Sequence, residues 1–419
     1  MAKNKDKDLH AKMDLIKLSS SELMDVIETS FATPMDSYPG KPGVLWGLPL
    51  LIEGEPGIAK TARIKQVATQ LKADLFIFFA APHPPESFAG ALIPDGQGGA
   101  KNIVALAELR GCIASGTGIL FLDEINGAAP ATQGAIQSLI HERKSGGSSI
   151  PGEIRIIAAQ NPEDIATAGY RLSPPVANRF VHVFDNGPTE DEWAKWSTDG
   201  ETWKTTHTLE SLVELVTVQW PKVWPTVQGL FAAFMSTQHG AKILHNRPPL
   251  ENPNSSRAWP SCRTWDFGRR AWATSKILGR SETIRDSMLE SCVGPGAASV
   301  FIEYANNTNI PTPFDVLSGK WKIETDRIDI VMAAYTSTTG YIVQNKDRAE
   351  QLALGPQLWE ALERLRKAGL SDICVPAVKS LLSAKLGINA SKEMKEAASK
   401  VLVPLYREGL VAQDVEVPK

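Results

Sequence analysis

The run Gly54-Glu55-Pro56-Gly57-Ile58-Ala59-Lys60-Thr61 constrains this chain more than any other feature. It follows the apolar stretch Pro49-Leu50-Leu51-Ile52-Glu53 and opens a segment, Lys60 to Leu71, with helical periodicity. Strand, glycine turn and helix in that order make a phosphate cradle, because backbone N–H groups and the positive end of the helix converge on one point. In that frame the turn Gly54 to Thr61 grips the phosphates. Lys60 reaches the outer two, and the Thr61 hydroxyl ligates Mg²⁺. Ala59 stands where a glycine is usual; alanine is expected to be tolerated there because it accepts helical dihedrals.

The surrounding pattern alternates. Apolar runs at Asp74–Ala80, Gly118–Leu122 and Glu153–Ala159 read as further strands. Helical periods lie between them at Val104–Ser115 and Ala131–Arg143. Alternation of this kind predicts an α/β fold with a parallel, doubly wound sheet, whose ligands sit at the carboxyl ends of the strands. Upstream, Ser19 and Glu22 form a capping box ahead of a short helix, and 33–43 reads as a loop. His83–Lys101 is rich in proline and glycine and reads as a long irregular loop. Past Asn186 the pattern turns helical, with a helix start at Thr189-Glu190-Asp191-Glu192. Helices are expected at Leu209–Val218, Val227–Thr237, Thr264–Leu278, Ile284–Glu290, Gln357–Lys367 and Lys392–Arg407, with a loop over Leu244–Pro260. Eight of the 11 tryptophans lie between Trp193 and Trp272. A tryptophan-rich helical core is the preferred reading, a partner-facing surface the alternative.

Two more strand ends carry chemistry. Gly118-Ile119-Leu120-Phe121-Leu122 ends in Asp123-Glu124, and adjacent acids at a buried strand end need a compensating cation. Mg²⁺ supplies it. Asp123 would bind the ion, and Glu124 would polarise the attacking water. Asn161, after Ile154–Gln160, has two local readings: a group holding the lytic water or γ-phosphate, or a turn asparagine before Pro162.

Bulk properties exclude other classes. At 419 residues the chain exceeds a single core, so two or three domains are expected. A net charge of −3 gives no basic signature for nucleic acid. Cys112, Cys262, Cys292 and Cys374 form no C-x-x-C pair and read as reduced thiols. The charged N-terminus is no secretory signal, and no apolar run approaches a membrane span. A soluble, cytoplasmic protein is expected.

In series, GEPGIAKT at Gly54–Thr61, FLDEIN at Phe121–Asn126, AAQNPED at Ala158–Asp164 and LSPPVANRF at Leu172–Phe180 resemble the MoxR branch of AAA+ ATPases. The resemblance is clear over Pro49–Trp196 and weaker to about Asn306. It implies an AAA+ αβα ATPase domain at 18–187 behind a tail at 1–17, an all-α lid at 188–308 and a helical extension at 309–419. By matching position, Asn161 looks like the residue that senses the γ-phosphate. Arg179 looks like the arginine finger offered to a neighbouring subunit, and Arg263 like the sensor arginine that opens a lid helix. The family usually has an aspartate where this chain has Asn178, and often a proline at Cys262. Arg143 matches an arginine of related proteins, though a solvated helix end is the preferred reading.

The resemblance implies ATP and Mg²⁺ as cofactors, a homo-oligomeric ring, expected to be a hexamer, and a protein client or a partner with a von Willebrand factor A domain. His83–Lys101 falls where this clade carries an insertion and is the candidate client-facing element. A nucleic-acid-directed motor of the same clade, a chelatase-like motor, and a nucleotide-gated switch with little turnover are the competing readings. Nucleic-acid binding and membrane association are not expected.

Overall fold

The computed structural model describes residues 18–411, apart from 37–38, 40–42, 98, 105, 163–164, 166–168, 201–202, 346 and 388–389. The expected tail at 1–17, part of the loop 33–43, and Asp164 of the third motif lie outside the described residues. The chain falls into two compact units. One runs to Val218 and resumes over Ile243–Val300; the other is Gln219–Lys242 with the residues from Phe301 onward.

The first unit opens with α1 (Ser20–Ala32), whose N-terminus is closed by the predicted capping box of Ser19 and Glu22. There follow β1 (Leu50–Gly54), α2 (Lys60–Gln70), β2 (Leu75–Phe79), α3 (Pro85–Ala89), β3 (Ala91–Pro94), β4 (Ala100–Ile103), α4 (Ala107–Ser115) and β5 (Thr117–Asp123). Next come α5 (Pro130–Glu142), β6 (Lys144–Ser145), β7 (Ser148–Ser149), β8 (Glu153–Gln160), α6 (Pro174–Ala177), β9 (Val181–Asp185) and α7 (Glu190–Asp199). Five strands form one parallel sheet in the order β2-β5-β8-β1-β9. Its strands are near-continuous apolar runs because helices cover both faces. Leu51, Leu120, Leu122, Ile154, Ile156 and Ala158 meet Ile136, Leu139 and Val176 in one core.

The topology explains where a ligand goes. After β1 the chain leaves for β2 on one side; after β8 it leaves for β9 on the other. The crevice between the carboxyl ends of β1 and β8 is therefore the topological switch point. The turn of Gly54–Thr61 and Asn161 both emerge there.

Two expectations need correction here, and a third, the tryptophan-rich core, holds in part. The sheet has a further strand, β9, because His182 and Phe184 interrupt a short segment that periodicity could not resolve. The insertion is ordered: α3 is followed by the antiparallel hairpin β3–β4. Gly90 packs against the turn between β6 and β7, where a Cβ would come 2.3 Å from Gly146 Cα, so a side chain is excluded at that contact. The tryptophans divide. Trp203, Trp220, Trp224, Trp259, Trp265 and Trp272 are buried, but Trp193 and Trp196 are 58% and 49% exposed on α7, a helix in which no residue is buried.

The helix α8 (Leu209–Ser236) spans both segments expected as separate helices and contains Pro221 and Pro225. Each interior proline costs about 3 kcal/mol. The buried stripe Trp220, Trp224, Val227, Phe231 and Phe234 outweighs that cost, with Trp220 stacked on Trp224 at 4.8 Å. The remaining helices are α9 (Gln238–Ile243), α10 (Cys262–Ile277), α11 (Glu282–Val293), α12 (Pro295–Asn306), α13 (Pro313–Ser318), α14 (Ile328–Val343), α15 (Arg348–Lys367), α16 (Ser371–Ser383) and α17 (Lys392–Arg407). In the first unit α10 packs on α11 and on α1. In the second unit α14 to α17 enclose a core of Tyr335, Trp359, Leu362, Val378 and Leu402. Trp359 and Tyr335 each donate a hydrogen bond to a buried carbonyl, so their polar ends carry no penalty. All four cysteines are free, and only Cys262 is exposed. Among the described residues no helix is long and apolar enough to cross a membrane.

Candidate nucleotide-binding site

At the switch point the side chains converge. Lys60 Nζ donates to the carbonyls of Gly54 (2.6 Å) and Glu55 (2.8 Å) and to Asn161 Oδ1 (3.0 Å). The Thr61 hydroxyl donates to Asp123 Oδ2 at 2.7 Å. Asp123 is buried at the end of β5, and its other oxygen accepts the N–H of Glu124 at 3.0 Å. Residues from three strand ends thus meet around one ammonium and one hydroxyl. Burial pushes the Lys60 ammonium below its ordinary value, against the pull of Asp123, Asp185 and Glu124.

The backbone is strained where it meets this cluster. Glu124 is exposed and left-handed, at φ 52° and ψ 45°. A non-glycine residue there costs about 1–2 kcal/mol, and such strain gathers at functional positions. Ala59 is left-handed too, at φ 68° and ψ 28°, not helical as expected. It lies one residue before the helix, where the turn must reverse, so it bears the strain that a glycine would avoid. Gly54 admits no side chain, since a Cβ would lie 2.6 Å from the Asp185 carbonyl.

Supporting groups that sequence reasoning missed hold the cluster. Asn126 donates to the Asn161 carbonyl at 2.8 Å. Its signal was present, as the last residue of FLDEIN, but nothing local distinguished it from a turn asparagine. Arg63, one turn into α2, pairs with Asp185 at 2.6 Å, and both are buried. The Gly187 N–H also donates to Asp185. Arg257 pairs with Glu53 at 2.6 Å, and Gln160 donates to the same carboxylate at 2.8 Å.

The donor set fits a nucleotide with a hard cation. Thr61 Oγ1 and Asp123 Oδ2 are oxygen donors 2.7 Å apart, the ligand type Mg²⁺ takes. The turn Gly54 to Thr61, with Gly57 at φ 83°, curls at the start of α2, where phosphate is favoured.

Arg179 and Arg263 take no part in the polar contacts that gather Lys60, Thr61, Asp123 and Asn161. They line a separate cavity of about 310 Å³ with His141, Arg143, Asp36 and Phe267. Asn178 joins them: its Oδ1 accepts from the Ser261 hydroxyl at 2.9 Å and from Arg263 Nη1 at 3.5 Å. Asn178 is therefore a hub between α6 and the start of α10. Arg179 Nη1 donates to the Pro175 carbonyl, and its Nε finds no acceptor among the described residues. Burial and the neighbouring Arg263 both lower the Arg179 guanidinium below its usual range. His141 is lowered by burial and then by Arg179 and Arg263. The cavity is electropositive, and Asp36 is its one acid among the described residues.

Arg143 is not the solvated helix end expected of it. It is left-handed at φ 54°, and its Nη2 donates to the carbonyls of Pro151 (3.0 Å) and Ile154 (2.5 Å). Burial, with Arg155 nearby, brings its pKa down to about 10.

Residues 49–182 match the protein family described as "ATPase family associated with various cellular activities (AAA)". The match spans the glycine turn, the acidic strand end and Asn161, so the likeness to AAA ATPases rests on the segment that carries the nucleotide site. A solved structure described as "a putative ATPase" from Cytophaga hutchinsonii is 14% identical, covering 74% of this chain and 96% of that one with a TM-score of 0.43. No curated protein matches the chain.

Proposed function

We propose that this chain is a MoxR-like AAA+ ATPase that closes into a ring, a hexamer by resemblance, and couples hydrolysis of magnesium-bound ATP to remodelling or maturation of a protein partner. The observation that carries the reading is the division of the catalytic set. Lys60, Thr61, Asp123, Glu124 and Asn161 form one cluster, whereas Arg179 and Arg263 face an electropositive cavity of their own. Like charges gathered in this way suit an anion brought from outside. A repeated head-to-tail contact that presents one subunit's nucleotide to the next subunit's arginines closes a ring.

Each residue then has a task. The turn Gly54–Thr61 and Lys60 hold the phosphates, and Thr61 and Asp123 would hold the ion. Magnesium-bound ATP supplies the labile phosphoanhydride and the charge that offsets it. Glu124 accepts the proton of the lytic water, and Asn161 orients that water or the terminal phosphate. Arg179 from the neighbour opposes the charge developing on the phosphoryl group, an effect worth about 10³–10⁵ in rate. Arg263 assists from the same wall. Residues 188–308 act as a lid and 309–419 as an extension that steadies the lid or recruits the partner.

The client-facing element is the hairpin β3–β4. Leu92, Ile93 and Ile103 on it are 73%, 46% and 38% exposed, and exposed apolar side chains favour a protein partner over nucleic acid. A protein with a von Willebrand factor A domain is the first partner to test, in a pull-down at raised salt. Recovery of nucleic acid alone would sink that part.

The deciding experiment is ATP hydrolysis against protein concentration for wild type, Glu124→Gln and Arg179→Ala. Specific activity that rises with concentration and collapses in both variants is expected. Turnover in Arg179→Ala equal to wild type would overturn the shared site.

A further inference from the structure

We infer that Arg257 is a positioning residue that ties the arginine-lined cavity to the γ-phosphate end of the subunit's own nucleotide site, through Glu53 and Gln160. The inference rests on the reading of Arg179 and Arg263 as residues that meet a neighbour's nucleotide.

Two strand ends and one loop meet at this point. Glu53 and Gln160 are register partners in β1 and β8, and each is followed directly by a residue bonded to Lys60: Gly54 through its carbonyl, Asn161 through its side chain. Gln160 Nε2 donates to Glu53 Oε2, and Arg257 Nη2 donates to Glu53 Oε1. The carboxylate is buried, with 7% of its side chain exposed, and Arg257 is its only ionic partner among the described residues. Glu53 therefore sits between the two chain segments that set the Lys60–Asn161 contact, and Arg257 neutralises it.

From Arg257 the chain runs straight to the cavity wall. Ala258, Trp259, Pro260 and Ser261 are buried. The Trp259 carbonyl accepts from Thr264 Oγ1 (2.9 Å) and from Asn178 Nδ2 (3.4 Å). Ser261 and Arg263 both bond Asn178, the neighbour of Arg179 in sequence. His182, on β9, donates from Nε2 to the carbonyl of Ala177, the residue before Asn178, at 2.8 Å. A shift of Arg263 and Arg179 onto an anion must move this loop, and Arg257 passes the movement to Glu53.

A structural role alone explains the pair poorly. Buried ion pairs contribute little net stability, since desolvation offsets their attraction, whereas removing one partner strands the other charge. Gln160 Oε1 has no partner among the described residues, so the amide beside Asn161 is not locked on both sides.

The test is a double-mutant cycle on the full chain. kcat, the Hill coefficient for ATP and the thermal midpoint are measured for wild type, Arg257→Ala, Glu53→Gln, the double variant and Arg257→Lys. Each single change is expected to lower kcat by about 10-fold and to flatten the Hill coefficient. The double variant should be no worse than Arg257→Ala, because it leaves no unpaired carboxylate, and Arg257→Lys should recover most of the loss. Additive losses approaching ~100-fold in the double variant would overturn the inference. So would a loss that follows the thermal midpoint and is not recovered by lysine, or unchanged kcat and Hill coefficient in Arg257→Ala. If wild-type turnover does not rise with concentration, the ring reading fails on its own. The cycle is then read on the ratio of affinities for a non-hydrolysable ATP analogue and ADP. Non-additivity in that ratio keeps the Arg257–Glu53–Asn161 link, and additivity removes it.

Discussion

The Lys60 cluster and the Arg179–Arg263 cavity are both polar sites of the same unit, yet they are built on opposite lines. In the first, the buried charged groups already have partners: Lys60 has two carbonyls and Asn161, Asp123 has Thr61, and Asp185 has Arg63. In the second, three guanidiniums and His141 line one cavity; burial and then Arg263 lower Arg179, burial and then both arginines lower His141, and Asp36 is the single acid among the described residues. A satisfied cluster holds its geometry before any ligand arrives, so it costs no reorganisation at the moment of reaction. A like-charged wall stores unfavourable energy that a docked anion relieves. The difference is what the proposed ring requires, with the two sites as halves of one reaction centre contributed by different copies of the chain.

The sharpest way to break that contrast is subunit mixing. Lys60→Ala and Arg179→Ala should each lose at least ~10³ in hydrolysis rate. Mixed in equal amounts, they should recover activity at the roughly one in four interfaces of a random ring that pair an intact turn with an intact arginine. Mixtures as inactive as their components would mean that both residues serve one subunit. Second in size is the internal partnering of the Lys60 side. Asp185→Ala strands the Arg63 charge in the protein interior and should cost about 3–5 kcal/mol in denaturant unfolding. A cost under about 1 kcal/mol would show that the cluster is not held by its own ion pairs.

The third test uses pH and the buried His182 of β9. Burial lowers its pKa to about 4, against the opposing hydrogen bond to Ala177, so it is neutral in the folded protein. The unfolded state, with an ordinary value near 6.5, binds the proton more readily. Stability therefore rises with pH across this window and falls as pH drops from about 6.5 toward 4, by about 3 kcal/mol in all. His182→Gln should flatten that slope in unfolding free energy measured from pH 7 to pH 4.5; an unchanged slope would place the titration elsewhere. The smallest effect is expected at Ala59. Glycine would remove about 1–2 kcal/mol of left-handed strain and add back about 0.5–1 kcal/mol of chain entropy. Ala59→Gly should thus stabilise the protein by about 0.5–1 kcal/mol; a loss of stability would mean that the methyl group packs usefully.

How much was legible depended on the range of the interactions. The capping box at Ser19, the helix start at Thr189, the turn at Gly54–Thr61 and the acid pair at Asp123-Glu124 were readable because each is specified within a few consecutive residues. The strand–helix alternation was readable for the same reason, and α17 falls where its apolar period places it, Lys392–Arg407. The hairpin β3–β4 was not, because its glycines and prolines signal loops as strongly as turns, and its pairing is set by contact with the β6–β7 turn. The continuity of α8 through Pro221 and Pro225 was hidden likewise, since local propensity ends a helix there and only a buried aromatic stripe carries it through.

By itself, then, the sequence determined the ligand-bearing turn, the identity of the acids and the order of strands and helices, all of which follow from local spacing and periodicity. Tertiary structure alone decided that Asn161 lies against Lys60, that Glu53 is held by Arg257 from 204 residues away, and that Arg263 stands with Arg179 rather than with the Lys60 cluster. Those choices depend on which strand lies beside which in the sheet and where buried charges find partners. Both are global minimisations of exposed apolar surface and unpaired charge, which no short window of residues encodes.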